Sequence, residues 1–402
     1  MNLILFESPL HDSSSVLSCR QGLFEKLKDK NFRKEYGLPE EGDLNIVDCT
    51  EPKLPSDDAV CFIATGGTEE VFRENLSRLP KNIILLSDGY HNSLAASFEI
   101  ASYLDHHGIP ARMINFPLDT SHDDDGQEIT ECRSENRFAD IYSKEALEYL
   151  RNSTVGLIGG PSSWLIASKA DLDYLTSEFG TRFIHISISE LADEYRKING
   201  DPTEDALTEK GRQKAAANME EALRIIVERY RLTALTLKCF DLLESCRTTA
   251  CLALGRLNAE GIICGCEGDM PTLWTMMTVY AHSGKAPFMA NPSSSDRKRL
   301  SVDFAHCTVP ISMTKSFTLP THFESGIGVG IAGILPTGNY SIVKIGGKKM
   351  DRLFWAKGKV TTNTNIAERC RTQVSFRFNN EEDFDRFFAN RLGNHIVLTQ
   401  DI

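Results

Sequence analysis

Over roughly the first 300 residues, short apolar runs alternate with segments of helical period, and this alternation restricts the possible folds more than any other feature. Residues 83–86 and 111–116 have the length of strands, while residues 93–107 between them repeat apolar side chains every three or four positions. A second series of the same kind begins near Val155. Such alternation predicts parallel sheets with helices on both faces.

Beyond about residue 300 the pattern changes to short alternating runs separated by proline, glycine and threonine, which favours an antiparallel sheet or barrel. A chain of 402 residues is also long for a single core. The sequence therefore predicts an α/β fold with two doubly wound parallel-sheet domains followed by a β-rich, antiparallel barrel-like C-terminal domain. The expected boundaries are 1–150, 151–300 and 301–402.

The charge of the chain excludes some classes of partner. A net charge of −12 argues against nucleic acid and anionic membranes, because both require a basic surface. Eleven cysteines without regular spacing suit a reducing compartment better than a disulfide framework. The N-terminus lacks the features of a signal peptide, and no window approaches the roughly 18 apolar residues of a membrane span. We expect a soluble cytoplasmic protein.

Residues 261–283, GIICGCEGDMPTLWTMMTVYAHS, contain the acidic turn that attracts most functional interest. A short apolar run ends at Glu267 and Asp269, and a helix-compatible segment follows Pro271. Side chains at the carboxyl end of such a strand face the crevice where open α/β sheets bind ligands. The two acids are therefore either solvated helix caps or working groups. Glu244 lies 25 residues before Asp269, about one strand–helix repeat, so adjacent parallel strands would present both carboxylates at one sheet edge.

Histidines could complete a metal site with these acids. Mn²⁺ and Mg²⁺ prefer carboxylate oxygens, and an added imidazole favours Mn²⁺. His395, in a Gly-Asn-His turn, and His306 are the two candidate imidazoles. Cys264 and Cys266, together with other cysteines, are an alternative as a zinc site, although no C-x-x-C pair accompanies them.

Two loops near the N-terminus follow predicted strands and precede predicted helices. The backbone amides of the Thr65-Gly-Gly-Thr-Glu69 loop could bind an anion or a sugar hydroxyl, or the loop could be a tight turn that caps a helix. His91, in the second loop, is a candidate for contact with substrate.

Seven stretches, taken together, resemble the L-fucose isomerase/L-arabinose isomerase superfamily, and more closely its shorter branch of fucose isomerase-like proteins. The stretches are FIATGGTEE, DGYHNSLAASFEIASYL, GLIGGPSSWLIAS, CEGDMPTLWTMM, FAHCTVP, SGIGVGIAGILPTGNYSIVKIGG and GNHIVL. They span most of the chain in the order typical of the family. The resemblance implies two α/β domains, a β-rich C-terminal domain, and a Mn²⁺-dependent enzyme that interconverts aldoses and ketoses.

The resemblance also implies roles for individual residues. Glu244 and Asp269 would be metal ligands and the acid/base pair, and His395 would be the third ligand. His306 would lie near the metal or the substrate. The remaining candidates for substrate binding are His91, Glu267, Trp164 and Asn394, the last standing where the family usually has a second histidine. Relatives assemble as trimers or hexamers, so the resemblance implies a homo-oligomer in which His91 and Trp164 are candidates for contacts across a subunit boundary.

The implied reaction moves one proton from C2 to C1 of a sugar and another from O2 to O1. A metal stabilises the ene-diolate, and carboxylates exchange the protons. No complete nucleotide-binding fingerprint is present. Two alternatives remain open: a non-catalytic sugar-binding or regulatory protein on the same fold, and an aldolase-type enzyme that stabilises an ene-diolate in the same way.

Overall fold

The structure is a computed structural model that describes residues 1–55, 59–116, 127–128, 141–200 and 208–400. It contains two parallel sheets with helices against them and a closed antiparallel barrel of six strands. The predicted fold class is confirmed.

The first sheet is formed by the N-terminal part of the chain. Its strands run in the order β2-β1-β3-β4-β5-β6 and are parallel except for the last pair. They are β1 (Asn2–Phe6), β2 (Asn45–Asp48), β3 (Ala59–Ile63), β4 (Ile83–Ser87), β5 (Ala111–Asn115) and β6 (Gln127–Glu128). The helices of this part are α1 (Ser13–Ser18), α2 (Gln21–Lys28), α3 (Lys30–Glu35), α4 (Glu69–Asn75) and α5 (Ser93–His106).

The second sheet is fully parallel, with the strand order β10-β9-β7-β8. Its strands are β7 (Thr154–Ile158), β8 (Arg182–Ile186), β9 (Ala234–Leu237) and β10 (Ile263–Cys266). The helices are α6 (Lys144–Asn152), α7 (Leu172–Phe179), α8 (Ile188–Asn199), α9 (Glu209–Tyr230), α10 (Asp241–Ser245), α11 (Cys251–Ala259) and α12 (Met270–Ser283). Within the described ranges, no helix of the protein combines the length and apolar character needed to cross a membrane.

The barrel closes in the order β11-β12-β17-β16-β15-β18. Its strands are β11 (Phe288–Asp296), β12 (Ser301–His306), β15 (Gly338–Gly346), β16 (Arg352–Asn363), β17 (Thr372–Phe378) and β18 (Ile396–Thr399). A separate hairpin, β13 (Ser316–Thr318) with β14 (Ala332–Ile334), and helix α13 (Glu381–Ala389) complete this part. Because β11 pairs with both β12 and β18, the barrel begins ahead of the boundary expected at residue 300.

Two helices that are buried on nearly every side join the sheets to the barrel. Helix α5 contacts β3, β4 and β5 of its own sheet and also β11 of the barrel. Helix α12 contacts β9 and β10 on one side and β11, β15 and β18 on the other. A helix that is apolar all round is typical of such a position between layers. Asn92 and Glu267, near the N-terminal ends of the two helices, line one pocket together with Asn394 beside the barrel, so all three parts of the chain meet there.

Candidate metal centre and adjoining pocket

The acidic turn after β10 has an unusual backbone conformation. Glu267 has φ +60°, in the left-handed region that side chains other than glycine rarely adopt, and Gly268 follows with φ +73°. Asp269 then caps α12, and its Oδ1 accepts a hydrogen bond from the Thr272 amide at 2.8 Å. Strain of this kind persists only where the surrounding structure enforces it, and it concentrates at functional sites.

Two features require glycine at position 268: its positive φ and the close approach of the Gly160 backbone. A Cβ atom there would lie 2.2 Å from the carbonyl oxygen of Gly160, whereas one at Gly284 would meet nothing within 4 Å. Both residues have positive φ, at the two ends of α12.

Gly284→Ala is expected to lower the free energy of unfolding by about 1 kcal/mol, and Gly268→Ala by clearly more, because only the latter adds a clash with backbone. Urea unfolding measures both, and equal losses would show that the close approach imposes no constraint.

Three side chains from two parts of the chain converge beside this turn. Glu267 follows β10, His306 ends β12 and His395 immediately precedes β18. The Oε1 atom of Glu267 lies 3.5 Å from Nε2 of His395 and 3.8 Å from Nε2 of His306. One potential ligand atom from each residue lies within 4.8 Å of the other two. Donors about 2.0–2.2 Å from a common ion are separated by roughly 3.0–3.6 Å, so this buried Glu/His/His group could hold a metal ion after a small contraction.

The other ring nitrogens of the two histidines are already engaged. Nδ1 of His395 lies 2.9 Å from Oδ2 of Asp269, and Nδ1 of His306 lies 2.9 Å from Oγ1 of Thr308. Nε2 of His395 is buried and forms no hydrogen bond with any residue that the structure describes. A hydrogen bond that fixes one ring nitrogen and leaves the other for the ion is typical of metal-binding histidines. The residues therefore fit a divalent cation, and one carboxylate with two imidazoles suits Mn²⁺, Fe²⁺ and Zn²⁺ alike.

Electrostatic interactions favour the charged forms of Glu267 and His395. Burial opposes ionisation of Glu267, yet the imidazoles of His395 and His306 hold its pKa well below the ordinary value. Burial likewise opposes the charge on His395, but Glu267 and Asp269 raise its pKa to about 9. Without a cation, the group is therefore an ionised carboxylate facing an imidazolium at neutral pH.

Trp164 orients the carboxylate of Glu267. The indole Nε1 donates a hydrogen bond to Oε2 at 2.7 Å, which leaves Oε1 facing the two histidines. This contact forms within one chain, whereas the resemblance offered Trp164 as a contact across a subunit boundary.

Two residues expected as ligands lie elsewhere. Glu244 is exposed on the short helix α10. This helix begins at Asp241, beyond the end of β9 at Leu237, so Glu244 does not lie at the edge of the sheet. The structure therefore does not bring it into the group. Asp269 is completely buried behind His395 and does not line the pocket. Both carboxylate oxygens of Asp269 accept hydrogen bonds from Thr272, and Lys344 Nζ lies 3.7 Å from Oδ2. In this arrangement Asp269 contacts Nδ1 of His395 and is not one of the three residues with metal-binding spacing.

His91 lies beside the pocket without lining it. Its Nδ1 is 3.4 Å from Nη1 of Arg20, and its ring packs against His11 and Phe323. Burial, together with Arg20 and His11, lowers the pKa of His91 to about 3, so the ring is neutral. We expected His91 to contact substrate, whereas in this structure its ring contacts Arg20, His11 and Phe323.

The cysteine alternative receives no support from the geometry. Cys266 Sγ lies 3.1 Å from Cys239 Sγ, and Cys264 is buried in β10. Among the described residues, Glu267, His306 and His395 are the single group with metal-binding spacing, and it includes no cysteine.

A pocket of about 430 Å³, including the part open to solvent, adjoins the group. Three residues expected at the substrate or the metal line it: Glu267, Trp164 and Asn394. Four further polar residues that were not expected at the site also line the pocket, namely Glu69, Asn92, Asn291 and Glu324. The sequence marked the loops that carry Glu69 and Asn92 as strand-to-helix turns, but it offered no means of deciding which side chain faces inwards.

Thr308 provides a test of how the histidines are oriented. Thr308→Val keeps the shape of this buried side chain but removes the hydrogen bond to His306 Nδ1. We expect the affinity for Mn²⁺ to fall about tenfold, the lower end for loss of a residue that orients a ligand. Thr278→Val is the matched control, since the Thr278 hydroxyl is also buried and, among the residues that the structure describes, bonds within its own helix at the carbonyl of Trp274. Titration calorimetry of both variants checks this, and equal affinities would contradict an orienting role for Thr308.

No protein-family model matches the chain, and no curated protein matches it.

Proposed function

We propose that this protein is a metal-dependent aldose–ketose isomerase that acts on a free sugar of the fucose or arabinose type, with Mn²⁺ as the cation. The observation that carries the proposal is that Glu267 belongs both to the buried Glu/His/His group and to the wall of the adjoining pocket. A ligand in the pocket would therefore lie next to the cation. The resemblance in the seven sequence stretches supports the same reaction.

The polar atoms of the pocket suit a polyhydroxylated ligand. The side-chain oxygens of Asn291 and Asn394 are buried, and neither accepts a hydrogen bond within the described part of the chain. Buried acceptors of this kind require partners, and sugar hydroxyls provide them. Trp164 and Phe240, edge to face at 5.0 Å, add an apolar wall for the C–H groups of a sugar.

The chemistry divides between the cation and the protein. When bound, a divalent cation polarises the sugar carbonyl and stabilises the negative charge of the ene-diolate. Glu267, His306 and His395 would hold it, while Trp164 and Asp269 keep Glu267 and His395 in position. Proton exchange needs further groups, because the pKa of Glu267 is too low for an efficient base near neutral pH. Glu69 and Glu324 are the other carboxyl groups of the pocket.

Activity restored by metal tests the proposal. Protein stripped with a chelator is assayed for ketose formation from L-fucose, D-arabinose and L-arabinose, before and after addition of Mn²⁺. We expect turnover only with Mn²⁺, loss of turnover in Glu267→Gln, and retention in Glu244→Gln. Metal-loaded protein that binds one of these sugars, forms no ketose and incorporates no deuterium from D₂O into the recovered sugar would overturn the proposal and favour a sugar-binding role.

A further inference from the structure

We propose that Glu69 is a further catalytic residue of this site, which hydrogen-bonds the substrate and exchanges a proton with its oxygen atoms. This assignment rests on the proposed isomerase function. It adds a residue from the N-terminal part of the chain to a site whose other acidic groups belong to the central and C-terminal parts.

The position of Glu69 supports contact with a ligand. It is the first residue of α4, directly after the Gly66-Gly67-Thr68 turn, and it lines the pocket together with Glu267, Asn92 and Asn394. The residue is only 2% exposed, yet its Oε2 atom accepts no hydrogen bond from the residues that the structure describes. A buried carboxyl oxygen without a partner is costly, and a substrate hydroxyl in the pocket would provide that partner.

A second buried glutamate nearby shows what a structural role looks like. Glu99, on α5, accepts hydrogen bonds from the amides of Ala167 and Ser168 and from the Ser168 hydroxyl, at 2.7–2.8 Å. These contacts fasten α5 to the loop after β7. Glu69 has no comparable set of contacts at Oε2, although it is equally buried. The difference indicates that Glu69 is not retained to tie two parts of the fold together.

The surroundings of Glu69 favour its neutral form. Burial is the main cause that raises its pKa well above the ordinary value, and the charges of Glu99 and Glu267 act in the same direction. The amides of Gly67 and of Glu69 itself act in the opposite direction but are outweighed. Since burial dominates, the direction does not depend on the charge that Glu267 carries. Two carboxyl groups whose pKa values are displaced in opposite directions are a common acid/base arrangement.

The step is balanced without any additional reactant. The O–H bond of Glu69 breaks and an O–H bond forms at O1 of the sugar, which leaves Glu69 as a carboxylate. The O2–H bond then breaks, its proton returns to Glu69, and its electron pair forms the carbonyl at C2. For the carbon-bound proton, the C2–H bond breaks, its proton passes to a separate base and its electron pair forms the C1–C2 double bond. That base later returns the proton to C1, where the electron pair of the double bond forms the new C–H bond.

Kinetics of Glu69→Gln test this role. Glutamine keeps the size and a hydrogen-bond donor but cannot exchange a proton, so we expect kcat to fall by roughly 10²–10⁴-fold with KM and Mn²⁺ affinity changed less than threefold. Glu70→Gln is the matched control, since Glu70 is the next residue of the same helix and pairs with Arg73 at the surface. It should retain the kcat of the wild type. A Glu69→Gln variant with kcat within threefold of the wild type would overturn the assignment, and one with raised KM alone would reduce Glu69 to a binding residue.

Infrared difference spectra provide a readout that needs no turnover. The spectrum of the wild type minus that of Glu69→Gln at neutral pH should contain the C=O stretch of a protonated carboxylic acid, which shifts when a sugar is added. Absence of this band overturns the assignment even in an active enzyme. If the wild type forms no ketose, the isomerase function fails, and the response of the band to sugar still decides whether Glu69 contacts the ligand.

Discussion

Replacing Glu267 by glutamine is expected to lower the affinity for Mn²⁺ by more than about 100-fold. Loss of a residue that merely orients a ligand costs up to about 100-fold, and Glu267 would be the sole anionic donor of the group. The substitution also leaves His395 without its closest anionic neighbour at Nε2, where the two atoms are 3.5 Å apart. Titration calorimetry with metal-free protein measures the change.

Glu244→Gln is the control that separates the two acidic candidates of the sequence. It removes the same charge from an exposed position on α10, so the Mn²⁺ affinity should stay within twofold of the wild type. A large loss in Glu244→Gln together with an unchanged Glu267→Gln would mean that the cation binds between the carboxylates first expected from sequence spacing. Near-ultraviolet circular dichroism verifies that both variants keep the native packing.

The affinity of the site for Mn²⁺ is expected to rise about tenfold per pH unit between about pH 7 and about pH 9, and to level off above that range. The pKa of His395 is raised to about 9 in the metal-free protein, so a cation must displace its proton throughout this interval. Glu267 and Asp269 have lowered pKa values and are ionised throughout, so they add no further proton. The total change is about 100-fold.

Competition with a chelator of known pH dependence measures this slope. His395→Gln should show weak binding with the tenfold slope removed, because the displaced proton is absent. Replacement of the exposed His185 by glutamine should leave both affinity and slope unchanged. A flat profile in the wild type would contradict either the ligand role of His395 or its charged state without metal.

The same shift predicts how the stability of metal-free protein depends on pH. The pKa of His395 is higher in the folded chain, at about 9, than the ordinary value of 6.5. Its contribution to stability is therefore complete below about pH 6.5 and is lost as the pH rises through 9. Thermal unfolding of metal-free protein across this interval should show the decline, and His395→Gln should not show it.

Elements with strong periodicity were predictable from the sequence. Pro271 after an acidic turn marked the start of α12, and the alternating runs after residue 300 marked the barrel. Their signals are local, because each depends on a few neighbouring side chains. Strand β11 lies ahead of the boundary expected at residue 300, and only its pairing with β12 and β18 shows that it belongs to the barrel.

Which residues form the site was harder to predict from the sequence, because this depends on where side chains point. Spacing along the chain predicted that Glu244 and Asp269 lie together. In the structure a loop and the short helix α10 follow β9, and Glu244 lies on the exposed side of that helix. The φ of +60° at Glu267 is set by packing around the turn, and no sequence pattern reports it. His306 and His395 were recognisable as candidates, but their approach to Glu267 requires the closed barrel to lie against the central sheet.

The separation of the three donors along the chain gives a bound cation a mechanical consequence. Glu267 belongs to the central sheet and the two histidines to the barrel, with His306 and His395 at opposite ends of a segment of some 90 residues. An ion held by all three would therefore act as a cross-link that closes two long loops, and would disfavour the unfolded chain as other long-range cross-links do. The central sheet and the barrel would then unfold together, in one cooperative step.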